Sequence, residues 1–229
     1  MKKTRKPKPF VAAPEPSNRF LKMLSIEQWN KLRGILPVQD LRDEALIVLM
    51  YEAALRRSEP GQIRLDYLRK LAEGKIYVQR NKKSHSGWVD LQPSTVSLIR
   101  SWIFSRYPLP ERSREWFLFP GNRYAGQPPQ GISGRTVYNV YNRLAKLAAL
   151  PKDLSHPHVL RRSRSQHLLE LATTNKDISA DRLHHTLAQL LGHNNARVTI
   201  EHYMKATGPE QEFVRKVTKT LVDTDKNKG

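Results

Sequence analysis

Apolar positions near the start of the chain recur at a helical spacing. Ile26, Trp29, Leu32 and Leu36 fall on one face, and Ser25 with Gln28 three residues later forms a capping box that starts the helix. A second helix is predicted over about 40–55, apolar through Leu46, Val48, Leu49 and Ala53. Ser58 is placed to cap a third, with Glu59 and Pro60 in its first turn, where proline is tolerated. The period then changes to two. Residues 75–80 and 87–91 alternate like strands around a polar turn at 81–86. Pro93 opens a helix carrying Val96, Ile99 and Ile103, and 116–119 reads as a short buried strand. Gly121, Gly126, Pro128, Pro129, Gly131 and Gly134 make 121–134 a loop. Helices are expected at about 135–149, 158–172, 180–191 and 195–205. The last helix, over 209–222, carries only a narrow apolar stripe of Phe213, Val217 and Leu221. No internal repeat is present. The pattern predicts an α+β chain, mainly α, with one small antiparallel sheet.

Charge alters this picture most. The 229 residues carry a net charge of +19, an excess that points to a polyanionic partner, most often nucleic acid. A ribosomal or membrane-surface protein is the other class with such a balance. No basic stripe backed by Trp and Phe favours a membrane surface. Five of the first eight residues are Lys or Arg, and Pro7, Pro9, Pro14 and Pro16 follow. Residues 1–23 therefore read as a flexible basic arm, either simply solvated or touching phosphates. Prolines in place of an apolar run exclude a signal peptide there. No apolar run approaches the length of a membrane span. With no cysteine, the chain has neither disulfides nor thiolate metal sites. His184, His185 and His193, with His202 close behind, lack any H-E-x-x-H or cysteine partner, so no metal is expected.

Three short strings carry candidate chemistry: Ala54-Leu55-Arg56-Arg57-Ser58-Glu59, His158-Val159-Leu160-Arg161 and Leu191-Gly192-His193, with Tyr203 ten residues beyond the last. Arginine suits a phosphate because its planar fork stays charged and meets two oxygens at once. Histidines at 158 and 193 can donate hydrogen bonds or move protons, and a tyrosine among cations is a usable nucleophile. Two lysines, Lys82 and Lys83, lie in the turn between the strands. Taken singly, each is an ordinary surface residue. In this order they match a metal-free phosphoryl-transfer site.

The order resembles the tyrosine recombinase (phage integrase) family, over about residues 24–207. The first string is similar to the family's G-L-R-x-S-E-L, which makes Arg56 the first catalytic arginine, Arg57 its alternative, and Glu59 the acid bracing it; Asp66 resembles the family aspartate that follows. The string 76–82 resembles the approach to the family's catalytic lysine, assigned to Lys82 with Lys83 as the alternative. The second string matches H-x-L-R and continues with Arg162, Ser163 and Arg164, where the family usually has histidine, a small residue and an aromatic. The third matches L-G-H, and 198–203 resembles the helix that presents the nucleophile, Tyr203.

The resemblance implies a site-specific recombinase that cuts and rejoins DNA through a 3′-phosphotyrosine, with no metal, ATP or other cofactor. Arg56, Lys82, His158, Arg161, His193 and Tyr203 would be the catalytic set. The partner would be double-stranded DNA, with a homo-tetramer on DNA and a monomer or dimer off it, in the cytoplasm and nucleoid of a prokaryote or on a phage or plasmid. The domain would span 24–207. The helix and tail at 208–229 would dock on a neighbouring protomer, although packing on its own domain is the other reading. Only about 23 residues precede the domain, so the chain resembles short single-domain members such as the fimbrial-switch recombinases, or equally a piece of a larger integrase. Type IB topoisomerase-like cleavage and a catalytically inactive DNA-binding relative are the alternatives.

Overall fold

The computed structural model describes residues 22–80, 84–107, 116–121, 130–174, 186–188 and 190–192. Five helices and one hairpin account for most of them. Helix α1 (Ile26–Ile35) starts at the predicted capping box, with Ser25 accepting from the Gln28 amide and the Gln28 side chain accepting from the Ser25 amide. It buries Trp29 and Leu32. Helix α2 (Leu41–Glu52) is capped by Asp40 and is buried on every side from Ala45 onward. Such a helix has no polar face, and α2 packs against both α3 (Pro93–Arg106) and α5 (His158–Thr174) as the axis of the core. Helix α4 (Gly134–Leu147), capped by Ser133, turns Val137, Val140, Tyr141 and Leu144 inward and packs on α1.

The end of α2 sets the geometry of everything near it. Ala54 takes a left-handed φ of 49°. The Leu55 amide bonds back to Met50 O at 2.9 Å and the Ala54 amide to Tyr51 O at 3.1 Å. This is a Schellman ending with alanine where glycine is usual. The end of α4 repeats it: Ala149 has φ 49°, and Leu150 and Ala149 bond back to Ala145 and Lys146. Both helices therefore stop before 55 and 149, the limits that periodicity alone suggested.

No third helix follows Ser58. The chain makes one 3-10 turn, Pro60–Gln62, and then extends at Ile63. Ile63 and Leu65 pair their backbone with Leu118 and Trp116, which competes with helix continuation. The strand expected at 116–119 is accordingly reduced to isolated bridges, Arg64 with Phe117 and Pro120 with Gly131. Gly131 passes so close to the Gly61 carbonyl that a Cβ would lie 1.9 Å from its oxygen.

The hairpin forms where expected, with strands shorter than the predicted 75–80 and 87–91. Strands β1 (Lys75–Val78) and β2 (Gly87–Asp90) pair antiparallel, Ile76 opposite Val89 and Tyr77 opposite Trp88. Ile76, Val78 and Val89 face the core. The fold is thus mainly helical with a small two-stranded antiparallel sheet. Helix α5 runs two residues beyond its expected end. Of the helix predicted at 180–191, residues 186–188 and 190–191 are helical. Those predicted at 195–205 and 209–222 lie outside the described residues.

Candidate active site

Arg56 leaves the α2 ending two residues after Ala54, and the turn at Pro60 folds Glu59 back beneath it. The Arg56 amide donates to Glu59 Oε2 at 2.7 Å, and its Nη1 donates to Oε1 at 3.1 Å. Glu59 is fully buried, while about a third of the Arg56 side chain remains open to solvent. Nη2 of Arg56 reaches across to Ser84 Oγ at 3.1 Å, touching the far side of the hairpin turn. Arg57 is exposed, and its side chain instead lies beside Gly134 at the start of α4.

His158 and Arg161 occupy the first turn of α5, which starts just after the buried Pro157. Arg161 is only 1% exposed. Its Nη1 donates to Ala54 O and its Nη2 to Leu191 O, each at 2.6 Å. The left-handed turn at Ala54 aims that carbonyl at Arg161, which links the α2 ending to α5. Burial, then the charges of Arg162, Arg161, His156 and Arg56, push the His158 imidazole down to about 4. It is neutral at ordinary pH, and an anion bound beside it would favour its protonated form.

The Leu191-Gly192 pair closes the site from another side. Gly192 has φ 62°, and a Cβ there would lie 2.6 Å from the His85 carbonyl oxygen. The His85 amide in turn donates to Gly192 O at 3.0 Å. Glycine is required because the hairpin turn packs directly on this helix end. Lys82, Lys83, His193 and Tyr203 lie outside the described residues, as do His184, His185 and His202. The described residues next to Lys83 and His193, Ser84 and Gly192, belong to the two segments joined by the bond from His85 to Gly192. Asp66 is exposed in the 3-10 turn Leu65–Leu68, separate from these contacts.

Sequence reading missed one member of this cluster. Arg80, two residues beyond β1, is buried and donates from Nη1 to Glu59 Oε2 at 2.6 Å, and from Nη2 to Leu190 O at 2.6 Å and Ala53 O at 3.3 Å. The signal was available: period two puts residue 80 on the inward face with Ile76 and Val78. Burial lowers this guanidinium to about 10 against the pull of Glu59, with Arg161 and Arg56 adding repulsion, so it stays charged. Two guanidiniums, Arg56 and Arg80, thus share the one carboxylate of Glu59 with the Arg161 charge nearby, an excess of positive charge suited to an anion. Ser163, in the departure from the usual string, accepts from the Leu24 amide at 2.7 Å.

A model of the phage integrase family matches residues 22–208. The chain is 28% identical over 200 residues to the tyrosine recombinase XerA of Thermococcus kodakarensis, covering 84% of this chain and 64% of that protein. It is 33% identical over 159 residues to the tyrosine recombinase XerC of Xylella fastidiosa, covering 69% and 47%. The chain therefore spans between about half and two thirds of these relatives' lengths. Among solved structures, a XerA recombinase superposes with TM-score 0.64 at 19% identity, covering 90% of this chain and 66% of that one. The XerH recombinase bound to its difH substrate superposes with TM-score 0.62 at 17% identity, covering 86% and 54%. At these identities the two structures establish the fold.

Proposed function

The chain belongs to the phage integrase family, and on that premise we propose that it carries the catalytic domain of a site-specific DNA recombinase. The observation that carries the reading is the convergence of Arg56, His158 and Arg161. Residues 105 positions apart in sequence meet where the α2 ending, the hairpin and α5 come together. Arg56 holds the scissile phosphate from the open side and Arg161 supports it from beneath. The Tyr203 oxygen attacks phosphorus and its proton passes to His158, whose cationic form the negative charge of the bound phosphate favours. The bond from phosphorus to the 5′ oxygen breaks, and Lys82, or Lys83 beside it, protonates the leaving oxygen. His193 hydrogen-bonds the phosphate. The 3′-phosphotyrosine is then attacked by a partner strand's 5′-hydroxyl. Bond energy is conserved through the covalent intermediate, so no ATP is needed, and the arginines and lysine supply the positive charge that a metal would otherwise provide.

The substrate is double-stranded DNA in the prokaryotic nucleoid, approached by the basic arm at 1–23, and the domain proper is 24–207. A DNA-bound tetramer is formed when 208–229 docks on a neighbouring protomer. Cutting the chain after Thr207 should leave half-site binding intact and abolish two-site complexes in gel shifts; two-site complexes formed normally by the shortened protein would refute that docking.

The central experiment is trapping on a suicide DNA substrate, with the adduct mapped by mass spectrometry. The wild type should give an SDS-resistant adduct on Tyr203. Tyr203→Phe should give none while binding DNA nearly as well. An adduct that survives in the Phe variant moves the nucleophile elsewhere. Relaxation of supercoils without recombinant joints would instead identify a topoisomerase.

A further inference from the structure

We propose that Arg80 is a positioning residue for strand cleavage: it ties the base of the hairpin, the brace under Arg56 and the Leu191-Gly192 helix end into one rigid unit. The inference rests on the recombinase reading and deepens it. Four observations carry it. Arg80 is buried, so its fork is held in place. Its Nη1 shares with Arg56 the single carboxylate of Glu59, taking Oε2 at 2.6 Å while Arg56 Nη1 takes Oε1 at 3.1 Å. Its Nη2 spans Ala53 O and Leu190 O, one residue before the Ala54 and Leu191 carbonyls that Arg161 holds. Its own amide donates to Ser86 Oγ at 2.9 Å, which ties down the turn, and its Cγ would lie 3.1 Å from a Cβ on Gly192.

Arg80 and Arg161 thus form two parallel rungs between the same pair of segments, 53–54 and 190–191. One rung issues from α5 and the other from the segment just after β1. A hairpin carrying a proton donor in its turn is useful only if that turn keeps a fixed place relative to the phosphate clamp. Arg80 joins the two through buried bonds, beside the more open contact of Arg56 with Ser84. Lysine cannot reproduce this, because one ammonium does not reach a carboxylate and two carbonyls with a planar fork's geometry.

The test compares wild type, Arg80→Met and Arg80→Lys in single-turnover cleavage at saturating DNA. Each is run on an ordinary suicide substrate and on one with a 5′-bridging phosphorothiolate, whose leaving group needs little protonation. Half-site affinity and the thermal midpoint are measured alongside. Arg80→Met should cleave the ordinary substrate about 100-fold more slowly, the scale of an ångström-size misplacement, with half-site affinity kept within about threefold. The phosphorothiolate should recover at least about tenfold of that loss. Arg80→Lys, which keeps a cation beside Glu59 and so keeps the fold, should show the same pattern more weakly, and it decides the matter if the Met variant unfolds. Wild-type cleavage by folded Arg80→Lys would overturn the proposal, as would a loss equal on both substrates. The first would leave Arg80 a purely structural cation, and the second would show that it does not position the turn's proton donor. If the wild type itself forms no adduct, the recombinase reading fails instead, and the two failures are distinct.

Discussion

At the scale of single residues, His158 has the clearest consequence. Its imidazole titrates near 6.5 in an unfolded chain and at about 4 in the fold, where burial and neighbouring cations disfavour the charged form. Below about pH 6.5 the unfolded chain therefore takes up a proton that the folded one refuses. Stability falls as pH drops through the window from about 6.5 to about 4 and levels off beneath it. His156 and His167, both lowered chiefly by burial, act in the same direction. The urea midpoint should decline from about pH 7 to about pH 4.5, and His158→Gln should flatten part of that slope. An unchanged slope in the variant would show that another group titrates.

At the scale of elements, a buried polar chain joins α2, α5 and the entry to the domain. Tyr51 Oη donates to His167 Nδ1 at 2.6 Å, and His167 Nε2 donates to Leu24 O at 2.9 Å. Acceptance by Nδ1 requires the neutral imidazole, in keeping with a pKa that burial lowers, while the bond to Leu24 O pulls the other way. Tyr51 also stacks on Trp29 of α1, ring centroids 3.7 Å apart, and carries Arg164 over its ring. The Leu24 amide is held by Ser163 as well, so α5 grips the backbone at the point where the chain enters the domain. Tyr51→Phe keeps the stack and strips the hydrogen bond, leaving Nδ1 buried without its donor. It should cost about 1–3 kcal/mol in urea unfolding. A midpoint equal to wild type would mean that this bond does not hold the elements together. The elements themselves were largely legible in the chain: the capping box, the hairpin and the start of α3 follow local signals that need no partner. The ends of α2 and α4 were not, because Ala54 and Ala149 take the left-handed turn without the glycine that advertises it.

At the scale of the whole molecule, charge dominates. A net charge of +19 and a cluster of guanidiniums at the candidate site suit a polyanionic partner. DNA binding should weaken about a thousandfold or more between about 50 and 200 mM salt, as counterion release requires when several phosphates are neutralised. Removing residues 1–8, which carry five of the cations, should reduce the slope of log K against log salt if the arm touches phosphates. A flat plot for the intact chain would exclude phosphate contacts as the source of affinity. Among the described residues, no helix is long and apolar enough to cross a membrane.

What the amino-acid order determined by itself was local: periodicity, caps, the hairpin, and the succession of strings ending at Tyr203, whose resemblance to one family the matching of residues 22–208 then established. These depend on near neighbours and on residue type, so they survive being read in one dimension. What only the tertiary structure decided was which polar groups share an acceptor. Glu59 serves Arg56 three residues away and Arg80 twenty-one away, and Arg161 reaches carbonyls 107 and 30 positions distant. The turn at Pro60 replaced an expected helix because Ile63 and Leu65 found backbone partners at Leu118 and Trp116. A buried hydrogen bond is chosen by what the fold brings within about 3 Å, and no spacing along the chain records that choice.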